Sequence, residues 1–198
     1  MASLNKTQIA NKALTMVGAA PITSITQDSN NARIVNRVYD IALRSVLSEC
    51  KWNFATKRRN LSLSADVLDW YDVGISTLYV KPADIVRIYG AHQPNIQWKE
   101  IGDYIVSDTG GLGLEYTFVQ DDPSKYPSLF ADAFIDKLAS DVAYVIVNSA
   151  TLGEQFLKKY QKLSLPNATA ANSQTGMQQT LQDDAWELSK HFDKQADA

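Results

Sequence analysis

The chain has 198 residues, of which 45% are hydrophobic and 21% charged, and its formal net charge at pH 7 is −3. This length provides one substantial domain, or a helical body with a smaller sheet module. The mildly acidic balance lacks the excess of lysine and arginine that tight binding to nucleic acid phosphates requires. Composition therefore argues against nucleic acid as a tight partner.

Cysteine and histidine usage gives no sign of a metal site. Cys50 is the only cysteine, and the two histidines, His92 and His191, lie far apart in sequence. We therefore predict no metal and no cofactor. The chain has no signal-peptide core and no run of roughly 18 apolar residues, so we expect a soluble protein made in the cytoplasm, with no membrane partner.

Two amphipathic helices are predicted at the start of the chain. Apolar residues recur at steps of three and four from Thr7 to Val17, and Gly18 stands where a C-terminal cap is expected. Asp28 or Ser29 can cap a second, longer helix. Its predicted buried stripe is Ile34, Val35, Val38, Ile41, Ala42 and Leu47.

After Cys50 the hydrophobic period approaches two, and five short segments rich in β-branched and aromatic residues follow. They are predicted to form a small antiparallel sheet or sandwich. Gly110, Gly111 and Gly113 are expected to form a hairpin turn and not a phosphate loop, because a strand-like run follows them. The predicted strands cover residues 78–80, 85–89, 96–98, 104–107 and 114–119.

Helical periodicity returns at Pro127, which can open a helix that reaches about Asn148. A further helix begins near Thr151 and must kink or stop near Pro166. From residue 167 to 179 the chain has almost no apolar anchor, which is typical of a mobile or partner-dependent segment. The predicted stripe of the Pro127 helix is Phe130, Phe134, Leu138, Val142 and Val145.

These patterns predict an α+β protein, mainly α, in which N- and C-terminal helices form a bundle around an inserted antiparallel β module. Residues 1–55 would be the N-terminal helices of the helical body, residues 56–122 the β module, and residues 123–165 the C-terminal helices. Residues 166–198 would be a flexible docking tail with a short helix.

Catalytic arrangements are poorly represented. Asp121 and Asp122 resemble turn and cap residues before the Pro127 helix, and adjacent carboxylates such as Asp183 and Asp184 do not by themselves span a cleft. No nucleophile elbow is present. The basic run Lys57, Arg58 and Arg59 could be a solvated edge, contact phosphate, or pair with a neighbouring subunit. We therefore predict no catalytic residue.

Four motifs stand in order along the chain. Residues 13–22 match an A-L-x-x-V-G-x-x-P-I element, and residues 52–61, W-N-F-A-T-K-R-R-N-L, match the pattern W-N-F-A-x-x-R-x-x-L. Residues 78–88 and 114–139 form two later segments. Together these motifs resemble the head-to-tail adaptor proteins of short-tailed phages, also called tail tubular protein A. The resemblance runs from about residue 8 to about 164 and departs from the family pattern in the C-terminal third.

The resemblance implies a structural protein at the head–tail junction of the virion. It implies a twelve-fold ring of this chain between the portal protein ring and the tail nozzle protein, through which DNA passes without specific binding. The helical body would contact the portal and neighbouring subunits, and the sheet module would face the nozzle. Two alternatives stay open: a tail-associated peptidoglycan hydrolase, and a helical interaction module unrelated to phages.

Six residues are predicted to act through interaction. Trp52, Phe54 and Arg58 would anchor the junction between helices and sheet, and Arg59 is a further interaction residue. Trp186 and Phe192 would dock the tail segment, because they restore a hydrophobic signal after the polar stretch.

Overall fold

A computed structural model of the chain describes residues 4–66 and 76–175. The predicted class, α+β and mainly α, is confirmed. The strands form two separate three-stranded antiparallel sheets between the second and third helices. The α-helices are α1 (Lys6–Met16), α2 (Asn30–Glu49), α3 (Ser128–Val147), α4 (Ala150–Lys159) and α5 (Leu165–Gln174).

Local capping chemistry sets the bounds of the first two helices. Asn5 and Gln8 form a reciprocal capping box at the start of α1. Gly18 adopts φ +77° just after the helix, as its predicted capping role requires. Ser29 caps α2 by accepting a hydrogen bond from the Ala32 amide, whereas Asp28 pairs with Arg33.

Helices α1, α2 and α3 enclose the main hydrophobic core, and two residues predicted to be buried lie outside it. Ile41 is 70% exposed and Val145 is 57% exposed. Ile41 stands two positions from both Tyr39 and Leu43, which are buried. At 3.6 residues per turn, Tyr39 and Leu43 lie on the same face of α2, and Ile41 lies on the opposite face, which is exposed to solvent.

The β module consists of two sheets with orders β1-β6-β3 and β2-β5-β4. Strands β4 and β5 form a hairpin whose two-residue turn begins at Gly102, with φ +57°. The third predicted strand, residues 96–98, is shifted to Trp98–Ile101. The strands are β1 (Thr56–Asn60), β2 (Thr77–Val80), β3 (Ile85–Ala91), β4 (Trp98–Ile101), β5 (Tyr104–Ser107) and β6 (Gly113–Phe118).

The glycine-rich loop is not a hairpin turn, contrary to the prediction. It connects β5 of one sheet to β6 of the other. Gly102 and Gly18 are the glycines with positive φ in the described part of the chain, so Gly110 and Gly111 do not supply that conformation. Fully buried Leu112 holds the crossover, and its amide donates to the Tyr79 hydroxyl at 3.1 Å. Burial of the Leu112 side chain therefore determines the path of the chain from β5 to β6.

Near Pro166, where a kink or a stop was predicted, the chain stays helical, and a π-helical turn precedes the proline. The part of the predicted mobile segment that the structure describes, residues 167–175, belongs to α5 and its C-cap, which corrects that expectation. Residues Tyr160–Ser164 form a π-helical turn in which the Leu165 amide donates to the Tyr160 carbonyl. Pro166 then stands in the first turn of α5, where a missing N–H costs little. Helix α5 packs against α3 and so belongs to the helical body.

Within the described residues, no helix combines the length and the apolar character needed to span a bilayer.

Candidate interaction site

The site begins with the segment that leaves α2 and enters β1. Trp52 is 1% exposed, and its indole Nε1 donates to the Val46 carbonyl at 3.0 Å. Its ring meets Phe130, on the first turn of α3, edge to face at 4.9 Å. The indole thus joins the end of α2 to the start of α3 through one hydrogen bond and one aromatic contact.

Phe54 extends this contact into an aromatic cluster. Its ring lies 4.7 Å from Phe130 and 5.8 Å from Tyr126. The Tyr126 hydroxyl donates to the Gln120 carbonyl at 2.7 Å. Burial raises the pKa of Tyr126 above its ordinary value, so the hydroxyl remains a neutral donor. The cluster therefore fixes the connection that leads from β6 into α3.

An open pocket of about 420 Å³ lies between this aromatic wall and α5. Its walls are apolar, and a few polar groups stand at its rim. This is the usual character of a pocket that binds an apolar group in one orientation. The residues that line it are Trp52, Asn53, Phe54, Pro127, Ser128, Leu129, Phe130, Ala168, Ala171, Asn172 and Thr175.

Asn172 holds α5 in place on the far side of the pocket. Its side-chain Oδ1 accepts from the Asn53 amide at 2.8 Å, and its Nδ2 donates to the Lys51 carbonyl at 2.7 Å. In return the Asn53 side chain donates to the Asn172 carbonyl at 2.8 Å and to Thr175 at 2.9 Å. These four hydrogen bonds join residues more than a hundred positions apart, so the pocket wall depends on them.

The predicted basic residues lie beside the site, on exposed strand β1. Arg58 donates to Glu115 of β6 at 2.9 Å, and Lys51 donates to the same carboxylate at 2.7 Å. The Lys51 hydrogen bond, aided by Arg58, holds the pKa of Glu115 below its ordinary value. Arg59 is exposed one position further along β1. Arg58 is thus already engaged within its own chain.

Five of the remaining predicted residues lie outside the part of the chain that the structure describes: Asp183, Asp184, Trp186, His191 and Phe192. Asp122 accepts from the Ser124 amide at 3.0 Å, so its predicted cap role is confirmed, whereas Asp121 pairs with Lys6 at 2.9 Å. His92 follows β3, where its amide donates to the Gly113 carbonyl. Across residues 4–66 and 76–175, no group of three or more potential ligands could hold a metal ion.

A second feature of the helical body was missed by the sequence reasoning. Five of the eight large apolar side chains that are exposed in the described residues lie on α3, α4 and the π-helical turn. None of the residues of α4, a fully described helix, is buried. We name this the α3–α4 apolar surface, and it consists of Leu129, Tyr144, Val145, Leu157 and Leu163.

Helix α4 nevertheless sits close to α3. A Cβ atom on Gly153 would lie 3.2 Å from the Ser140 carbonyl oxygen. Buried Asp136 of α3 accepts from Lys159 at 2.8 Å and from the Ser164 hydroxyl. Helix α4, which carries exposed Leu157, is therefore firmly attached to α3. Nothing in the sequence indicated this exposure, because Val145, which is 57% exposed, belongs to the predicted buried stripe of the Pro127 helix.

No protein-family model matches the chain, and no curated protein matches it. The fold and the site define a mainly helical α+β protein with an inserted two-sheet module. Its distinguishing features are the apolar pocket beside α5 and the α3–α4 apolar surface.

Proposed function

We propose that this chain is the subunit of a head-to-tail adaptor in a phage virion, which forms a ring between the portal protein and the tail nozzle protein. The α3–α4 apolar surface carries the proposal. Five exposed large apolar side chains on three consecutive elements of a folded subunit are typical of a region that is covered in an assembly. In a closed ring of identical subunits, each such region meets a different region of the next subunit.

The order of the sequence motifs supports the same role. The W-N-F-A segment, which resembles the adaptor family, leads from α2 into β1, and its Trp52 and Phe54 rings pack on Phe130 at the start of α3. Trp52 and Phe54 are therefore engaged inside the subunit. This leaves the surface of the helical body for the portal and neighbouring subunits, and the β module for the nozzle.

The charge of the chain suits a channel through which DNA passes. A formal charge of −3 on each subunit would be multiplied around the ring. A negatively charged lumen repels the phosphate backbone, whereas a basic lumen would retain it through counterion release. We therefore expect transient passage of DNA without specific binding.

The test is the mass of the purified protein, alone and after mixing with portal rings of its own phage, by light scattering coupled to size exclusion. We expect a 21.9 kDa monomer that joins the portal in a large stoichiometric complex. A chain that stays monomeric beside the portal would overturn the proposal, and a peptidoglycan turbidity assay would then test the hydrolase alternative.

A matched pair of variants assigns the surface. Tyr144→Asp with Val145→Asp places two charges on the α3–α4 apolar surface, where both side chains are more than half exposed. Leu63→Asp with Val80→Asp makes the same change on the β module, at side chains that are 61% and 49% exposed. We expect the first pair to abolish assembly with the portal and the second to retain it. The reverse result would assign the portal contact to the β module.

A further inference from the structure

The pocket beside α5 opens where the described part of the chain ends. Thr175, the last described residue, lines the pocket and accepts a hydrogen bond from Asn53 at 2.9 Å. Residues 176–198 therefore continue from the pocket rim. A volume of about 420 Å³ is ample for a large aromatic side chain, since pockets of roughly 300 Å³ and more hold ligands of drug size.

One edge of this pocket is the N-terminus of a long helix. Helix α3 has 20 residues and begins at Ser128, with Pro127 at the N-cap position, where proline supplies no capping oxygen. Its first turn contains no acidic residue. The amides at the start of such a helix carry partial positive charge and favour carboxylates. The pocket thus combines an apolar interior with an edge that attracts negative charge.

The C-terminal sequence contains, within five residues, an aromatic side chain that suits the apolar interior and acidic side chains that suit the helix N-terminus. Trp186 is flanked by Asp183 and Asp184 on one side and by Glu187 on the other. We propose that residues 183–187 dock at this pocket in the same chain. The Trp186 ring fills the space between Phe130 and α5, and the neighbouring carboxylates lie beside the first turn of α3.

Docking within one chain follows from the tether. Trp186 stands eleven positions after Thr175, and a stretch of that length spans at most about 40 Å. A short tether gives its end an effective concentration of about millimolar at a nearby site, well above that of a second copy in dilute solution. The interaction does not depend on the proposed adaptor role, because it needs neither portal nor ring.

The test is disulfide trapping in the full-length protein. Cys50, the only native cysteine, is replaced by serine. Ser128→Cys then places a thiol at the exposed pocket rim, and Ala185→Cys places one beside Trp186 without removing it. We expect mild oxidation to yield an intramolecular disulfide at monomer mass. The control pair Tyr144→Cys and Ala185→Cys, with the first thiol about 24 Å further along α3, should react at least about tenfold more slowly.

Adding Trp186→Ala to the pocket pair tests the anchor itself. We expect the trapping rate to fall to that of the control pair, while the melting temperature stays unchanged because the helical body is untouched. An unchanged rate with Trp186→Ala, or equal rates for the pocket and control pairs, would overturn the proposal. A disulfide-linked dimer in place of the monomer would show that the segment docks on a second copy and would overturn docking within the chain. Portal mixing is a separate readout, so failure of either proposal is recognised independently.

Discussion

Trp52 connects two helices through one buried side chain. Its indole bonds to Val46 at the end of α2 and packs on Phe130 at the start of α3. We expect Trp52→Ala to lower the free energy of unfolding by about 3–5 kcal/mol, because it leaves a cavity and an unpaired carbonyl. Denaturant unfolding measures the change. Leu63→Ala, at a side chain that is 61% exposed, should cost less than about 0.5 kcal/mol, and an equal cost would contradict the argument.

Two buried tyrosines predict opposite effects for the same substitution. The Tyr39 hydroxyl is buried without a hydrogen-bond partner in the described residues, and burial raises its pKa. The Tyr79 hydroxyl donates to Thr109 at 2.5 Å and accepts from Leu112 at 3.1 Å. We expect Tyr39→Phe to be neutral or stabilising by up to about 1 kcal/mol, and Tyr79→Phe to destabilise by about 1–3 kcal/mol. Thermal unfolding of both variants checks the signs, and equal signs would contradict the assignment.

At the scale of elements, the last turn of α5 is hydrogen-bonded to the segment that follows α2. Asn172→Ala removes the acceptor for the Asn53 amide and the donor to Lys51. We expect a loss of about 1–3 kcal/mol in the free energy of unfolding, together with faster amide exchange across α5. Asn167→Ala changes an exposed residue of the same helix and should leave both unchanged. Equal exchange rates in the two variants would show that packing alone holds α5.

The contribution of the β1–β6 pairing to the free energy of unfolding should depend on pH. The pKa of Glu115 lies below its ordinary value of 4.5 because Lys51 and Arg58 stabilise the carboxylate. A lowered pKa in the folded state contributes stability that is present above the unfolded value and is lost as the pH falls through the folded value. We expect the stability advantage of the wild type over Glu115→Gln to shrink as the pH falls from about 6 to about 3.

Unfolding curves at several pH values measure this difference. Glu154→Gln is the control, because Glu154 is 69% exposed and its partner Lys158 lies 3.6 Å away. An exposed pair of this kind is worth less than about 1 kcal/mol. A Glu115→Gln variant whose difference from the wild type does not change with pH would contradict the prediction.

Local patterns explain what the sequence could predict among these elements. The period of three to four residues and the caps located α1, α2 and α3, because both signals lie within a few residues. Trp52 and Phe54 were predicted as junction anchors, and they form one wall of the pocket. The other wall was not predictable. It depends on Asn172, whose partners lie more than a hundred residues away. The crossover from β5 to the second sheet was not predictable either, because it depends on burial of Leu112.

At the scale of the whole molecule, the two hydrophobic clusters differ in size. The cluster of the helical body has 27 buried hydrophobic residues and that of the β module has six, counted over the described residues. The sheet β1-β6-β3 is bonded to the helical body, since Arg87 donates to Ser48 at 2.9 Å and Tyr89 donates to Cys50 at 3.0 Å. The smaller cluster joins the sheet β2-β5-β4 to the sheet β1-β6-β3 and includes no residue of the helical body.

This difference predicts the order in which parts of the subunit open. We expect amides of α2 and α3 to exchange only through global unfolding, and amides of β4 and β5 to exchange through smaller openings with a lower free energy. Native-state hydrogen exchange at increasing denaturant measures both. Ile105→Ala, in the smaller cluster, should lower the opening free energy of β5 more than that of α3. If amides of β5 and α3 exchanged with the same free energy and the same denaturant dependence, the subunit would open as a single unit. In that case the β module could not rearrange on the helical body without unfolding it.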